Sequence, residues 1–143
     1  MQVMSRLSID HPRRSGCPIS VALETLGDAW SLLIVRDLMF KDRQTYKEFL
    51  EGGEGIASNI LADRLRKLAA AGIVDKQVDP SDARRHIYRL SAKGIDLAPV
   101  LVELVLWSAR HESTDAPPPV LRTMRRDREA FIEAVRQRWR SGR

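Results

Sequence analysis

The sequence predicts a mainly α chain that carries one small β-hairpin. Three observations point there. Apolar residues recur at three- and four-residue steps along most of the chain, the period switches to two only near residues 73–90, and a glycine-rich break joins two short helical stretches just before that switch. With 143 residues, 43% of them hydrophobic, the chain suits one compact unit with appendages better than two independent cores. The natural division is a flexible arm at 1–16, a central unit at 17–112, and a tail at 113–143.

Taken in order, Pro18 suits a first helical position, Ile19, Leu23 and Leu26 share a face, and Gly27 suits the stop. Asp28 can cap a second helix in which Trp30, Leu33, Ile34 and Leu38 leave few polar positions before Lys41, so this helix belongs at the centre of the core. Thr45 and Glu48 have capping-box spacing, with Tyr46, Phe49 and Leu50 on the buried side of a short third helix. Gly52, Gly53 and Gly55 then break the chain. From Ile56 to Ala71 a fourth helix places Leu61, Leu65 and Leu68 inward and closes at Gly72. The stretches 73–78 and 86–90 alternate as strands around a polar tip, Pro80 to Arg85. Ser91 can cap a helix running to about His111, with a kink at Pro99. Residues 115–119 form a stiff proline linker. Beyond it, Leu121, Met124, Phe131, Val135 and Trp139 line one side of a single arginine-rich helix.

Charge is unevenly spread. The net charge is +5 and the pI about 9.9, but residues 1–121 hold sixteen basic and sixteen acidic residues, while 122–143 hold eight arginines against three acids. Basicity alone is therefore a weak argument for a polyanionic partner. No apolar run is long enough to span a bilayer, and the first sixteen residues lack the apolar stretch of a secretory signal. Cys17 is the sole cysteine, which excludes an intrachain disulfide and fits a reducing cytoplasm.

Function enters through the order helix, glycine turn, helix, hairpin: a winged helix-turn-helix, dimeric in expectation because the Ser91–His111 stretch is more apolar than one core face can use. Such a helix fits the major groove of double-stranded DNA. With the three leucines inward, the opposite face presents Asn59, Asp63 and Arg66, flanked by Ala62 and Lys67, as candidate base readers. Ser58 at the helix start and Arg64 on its flank are candidate phosphate contacts. Arg84 and Arg85 at the wing tip are placed for a narrow minor groove, or else pair with Asp79 or Asp82.

At these residues the sequence resembles the HxlR-type family of MarR-like regulators. Cys17-Pro18, the run Gly27 to Leu38, the Tyr46/Phe49 segment, Leu61 to Leu68 through Val74, Tyr88 to Gly94, and Leu97 to Leu101 through Trp107 carry the likeness. It implies a homodimeric winged-helix repressor or activator in which the first and late helices form much of the subunit contact. In some members a cysteine at this position senses oxidants or electrophiles, and the place of Cys17 before Pro18, with Arg13 and Arg14 upstream, fits that role, although the second cysteine of a two-thiol bridge is absent; the alternative is a small residue that merely caps the helix. The long wing, Ala57 in place of a capping serine, and the segment after residue 113 depart from the family pattern.

Rival classes fit less well. The three histidines are scattered, no phosphate-binding glycine loop follows a strand, and no base lies near Cys17 in sequence, so neither an enzyme nor a metal or cofactor site is expected. A winged-helix protein-interaction module would show apolar residues on the fourth helix where polar ones stand. A sequence-blind architectural DNA binder stays open as an alternative, as does a small-molecule or redox effector.

Overall fold

Local sequence sets the ends of each helix in the computed structural model, which describes residues 12–142; most of the expected arm, residues 1–11, lies outside them. Helix α1 (Pro18–Leu26) begins on its proline. Asp28 then starts α2 (Ser31–Phe40): its carboxylate accepts the Trp30 and Ser31 backbone N–H groups at 2.7 and 2.8 Å and the Ser31 hydroxyl at 2.6 Å. The capping box forms around α3 (Tyr46–Leu50), where Thr45 Oγ1 accepts from the Glu48 N–H and Glu48 accepts from the Thr45 N–H. Helix α4 (Ser58–Ala70) starts two residues later than the apolar pattern implied, since Ile56 packs on the core from the preceding loop. Its end is set by Gly72, whose φ of 76° is a conformation few other residues accept.

Strands β1 (Val74–Asp79) and β2 (Asp82–Leu90) pair antiparallel, Val74 opposite Leu90 and Gln77 opposite Ile87. The tip is shorter than expected. Asp79 accepts the N–H and hydroxyl of Ser81, both at 2.8 Å, which closes the turn over Pro80 and Ser81 and leaves Asp82 to Arg85 in a bulged strand rather than a loop.

The expected 91–111 helix is two helices, α5 (Ala92–Ile95) and α6 (Ala98–His111). Ser91 caps the first through the Gly94 N–H. Pro99 opens the second, at a position where its missing N–H had no intrahelical acceptor, so it starts a helix instead of kinking one. A Cβ on Gly94 would collide with the Ile73 carbonyl oxygen, so this glycine lets the chain cross the root of the hairpin.

The tail also divides, into α7 (Pro118–Arg126) and α8 (Arg128–Arg140). Pro118 and Pro119, expected in a linker, form the first turn of α7. Asp127 ends α7 and caps α8 by accepting the Ala130 N–H at 3.0 Å, which is why one long periodic stretch becomes a corner.

One core gathers these elements. Val35, Leu61, Leu68 and Val102 are fully buried at its centre, and Met124, Ile132 and Val135 of the tail belong to the same cluster. The end of α8 fastens to the wing root and to α2. The Trp139 indole N–H donates to the Leu90 carbonyl at 2.8 Å, Arg89 donates to the Trp139 carbonyl at 2.6 Å, and the Arg89 guanidinium lies 5.4 Å from the indole ring. Arg138 donates to the Met39 carbonyl in the last turn of α2, and Arg136 pairs with Asp96. Among the described residues no single helix is long and apolar enough to cross a membrane.

Candidate nucleic-acid interface

The interface candidate is built from α3, α4 and the hairpin, held in fixed relation by three contacts. The Tyr46 hydroxyl donates to the Ser58 carbonyl at 2.7 Å, tying α3 to the first turn of α4. The Tyr88 N–H donates to the Gln44 carbonyl at 2.8 Å, and the Tyr88 and Phe49 rings meet at 6.0 Å, tying β2 to α3.

Leu61, Leu65 and Leu68 bury one face of α4 and leave Ser58, Asn59, Ala62, Arg66 and Lys67 exposed on the other. No side chain caps the helix start, so the amides there lack a side-chain acceptor. Asp63 and Arg64 are placed differently. The Asp63 carboxylate gathers Arg66 at 2.5 Å, Arg64 at 2.5 Å and Lys67 at 3.4 Å. Burial pushes this carboxyl up, yet the hydrogen bonds from Arg66 and Lys67 outweigh it and hold it below the ordinary range. Arg64 turns inward and also reaches Asp28 at 3.2 Å, so it joins the α1–α2 turn to the side of α4.

On the wing, both arginines find the acids the sequence offered them. Arg85 donates to Asp79 at 2.6 and 2.8 Å, and Arg84 meets Asp82 at 3.3 Å while its side chain stays almost fully exposed. The Ser81 N–H, then Arg85, hold the Asp79 carboxyl down to about 2. Sequence reasoning found Asp28 as a cap but not as the partner of Arg64. That contact depends on how α4 packs across the α1–α2 turn, which no local pattern encodes.

Away from this face, α1 has no buried residue: Ile19 and Leu23 are 70% and 56% exposed. Val100, Leu104 and Trp107 of α6 are also exposed. Cys17, at the N-cap of α1, is exposed, and the Ser20 N–H and then the Ile19 N–H pull its thiol below the ordinary value. The upstream arginines have no part in that shift.

A helix-turn-helix followed by a two-stranded wing on one shared core is the fold of a winged helix-turn-helix transcription regulator. The chain belongs to the HxlR-like helix-turn-helix family, whose model matches residues 25–116. It is 35% identical over 108 residues to the HTH-type transcriptional regulator Rv3095 of Mycobacterium tuberculosis, covering 76% of this chain and 67% of that one. It is 36% identical over 93 residues to the HTH-type transcriptional regulator YodB of Bacillus subtilis, covering 64% and 82%. Among solved structures, PA1607, assigned as a transcription factor, superposes with a TM-score of 0.66 at 35% identity, over 73% of this chain and 72% of that one. Reduced YodB superposes at 0.56 and 34% identity, over 68% and 95%, and YodB has also been solved bound to a quinone. These relatives are named as transcription regulators. Helix α7 and helix α8 lie beyond the matched family region.

Proposed function

We propose that this protein is a homodimeric, sequence-specific regulator that represses transcription by seating α4 in the major groove of a pseudo-palindromic operator. The observation that carries the reading is the face of α4. Its inward side is all leucine, and its outward side offers Asn59, Ala62, Arg66 and Lys67, with Ser58 at an uncapped helix start. Asn59 and Arg66 have the donor and acceptor pattern that reads adenine and guanine edges, while Ser58 and the amides of the first turn suit a phosphate. The wing carries Arg84 outward to the neighbouring backbone or minor groove, and Arg85 reaches it only by loosening its hold on Asp79.

The dimer rests on Ile19 and Leu23 of α1 together with Val100, Leu104 and Trp107 of α6, apolar side chains that the protomer leaves in water. Twofold-related α4 helices read half-sites about one helical turn, roughly 34 Å, apart. Footprinting on fragments recovered by genome-wide mapping tests this: a symmetric protected site is expected, with Arg66→Ala relaxing base preference at one position per half-site. Uniform weakening on every sequence would place the protein with sequence-blind binders.

Cys17 supports a second layer, control by a thiol-reactive effector. Its thiol is exposed and held below the ordinary value by the Ser20 and Ile19 N–H groups, and a relative at 34% identity has been solved bound to a quinone. With one cysteine per chain, the products open to it are an adduct, a mixed disulfide, or a Cys17–Cys17 bridge between protomers, in which an oxidant such as diamide takes up the two electrons and two protons released.

A further inference from the structure

By helical angle Asp63 lies opposite the leucines of α4, its carboxylate partly covered by its own cation partners, which is a costly place for an acid beside a polyanion. Its position is paired with an economy in Arg66. The side chain of Arg66 is 69% exposed and uses one nitrogen, Nη2, to reach Asp63 Oδ1 at 2.5 Å. The other donors of its planar fork stay free and held in one plane, the arrangement a bidentate contact to a guanine edge requires. Lys67, 3.4 Å from the other carboxylate oxygen, has its charge partly answered in the same way. Arg64 reaches the same carboxylate at 2.5 Å, but Asp28 also holds it from the far side at 3.2 Å, so it stays turned inward whether or not Asp63 carries charge.

We propose that Asp63 is a specificity-determining residue that touches no base: it masks Arg66 and Lys67 against phosphates and orients Arg66 for base readout. The proposal rests on the reading of α4 as the DNA-contacting helix. The two effects act in one direction. When Arg66 or Lys67 leaves Asp63 for a phosphate, one ion pair replaces another and a carboxylate with one cation fewer is left beside DNA, so sequence-independent binding gains little. When Arg66 meets guanine, it adds two hydrogen bonds while keeping the one to Asp63. A carboxylate at this site therefore lowers affinity for bulk DNA more than affinity for the operator.

The test uses the full-length protein, sonicated genomic DNA as the bulk probe and the tightest duplex selected from a random pool. Asp63→Asn should raise bulk affinity about fivefold and steepen the log–log salt dependence by about one phosphate contact. It should lower the ratio of selected to bulk affinity by about tenfold. Asp75→Asn, at an exposed acid on β1 with no ion-pair partner among the described residues, removes the same charge without freeing a cation of α4 and should leave that ratio nearly unchanged. In an Arg66→Ala, Lys67→Ala background the effect of Asp63→Asn should fall to that of Asp75→Asn, because the remaining partner, Arg64, stays bonded to Asp28. Thermal melting checks that each variant folds. Equal behaviour of the Asp63 and Asp75 variants would overturn the proposal by reducing it to net charge. A loss confined to one base position would overturn it too, by making Asp63 a direct base acceptor. If the wild type itself shows no preference for the selected duplex, the reading of α4 fails first, and that is visible before any variant is compared.

Discussion

Replacing Trp139 with alanine tests whether the C-terminal helices are a structural part of the regulator domain or an ornament on it. Three contacts go at once: the packing of a half-buried indole against the core, its N–H bond to the Leu90 carbonyl, and the stacking of Arg89 over its ring. Full truncation of a core aromatic costs about 3–5 kcal/mol. Trp139 is only partly covered, so about 1.5 kcal/mol of packing is appropriate, with about 1 kcal/mol for the hydrogen bond and about 0.5 kcal/mol for the cation–π contact. The expected loss is about 3 kcal/mol. For a chain of this size that lowers the melting temperature by roughly 10 °C. Trp139→Phe keeps most of the packing, loses the N–H, and should cost only about 1 kcal/mol. Chemical denaturation with a wild-type slope measures both. A loss under about 0.5 kcal/mol for the alanine variant would refute the argument, because α8 would then not be fastened to the wing root.

Other expectations follow from the same contacts. Deleting residues 114–143 should lower thermal stability strongly while leaving the salt slope of DNA binding close to wild type, since the tail's apolar face is used in the core. Leu104→Asp or Trp107→Asp should halve the mass seen in light scattering without unfolding the protomer, and an unchanged mass would move the subunit contact elsewhere. Asp79 is depressed on folding, so its contribution to the wing is complete above the ordinary carboxylate value near 4 and is lost as pH falls through about 2. A carboxyl titration of Asp79 by NMR with an ordinary midpoint would contradict that. Cys17 should react with a quinone or diamide at neutral pH with loss of operator affinity, and Cys17→Ser should be indifferent. Slow labelling, or the same loss in both proteins, would end the sensor reading.

Much of the central unit is legible because its signals are local. Thr45 and Glu48 stand at capping-box spacing whatever surrounds them, and the leucines at 61, 65 and 68 fix which side of α4 faces out. The misreadings come where two signals compete or a partner is distant. Ser91 and Pro99 each mark a helix start, and apolar periodicity across both hid the turn at Asp96 and Leu97. Periodicity across Asp127 likewise masked an acidic cap. The wing tip is narrower than the sequence implies because Asp79 closes the turn with its side chain, bonding Ser81 and Arg85 across a register that alternation does not reveal. For Arg64, charge and a place on the flank of α4 suggest a phosphate contact. Only the packing of α4 against the α1–α2 turn brings Asp28 within reach.

The attachment of α8 to Leu90 bears on how the wing would meet a duplex. A hairpin held only by its two strand ends can swing, and it adjusts to a groove at an entropic cost. Here the root is bonded on one side to Gln44, just ahead of α3, through Tyr88, and on the other to Trp139 through Arg89 and Leu90. The wing is thus a template rather than a probe. On the proposed reading, fit between protein and duplex then comes mainly from deformation of the DNA, so discrimination should extend to base steps the protein never touches, through their stiffness.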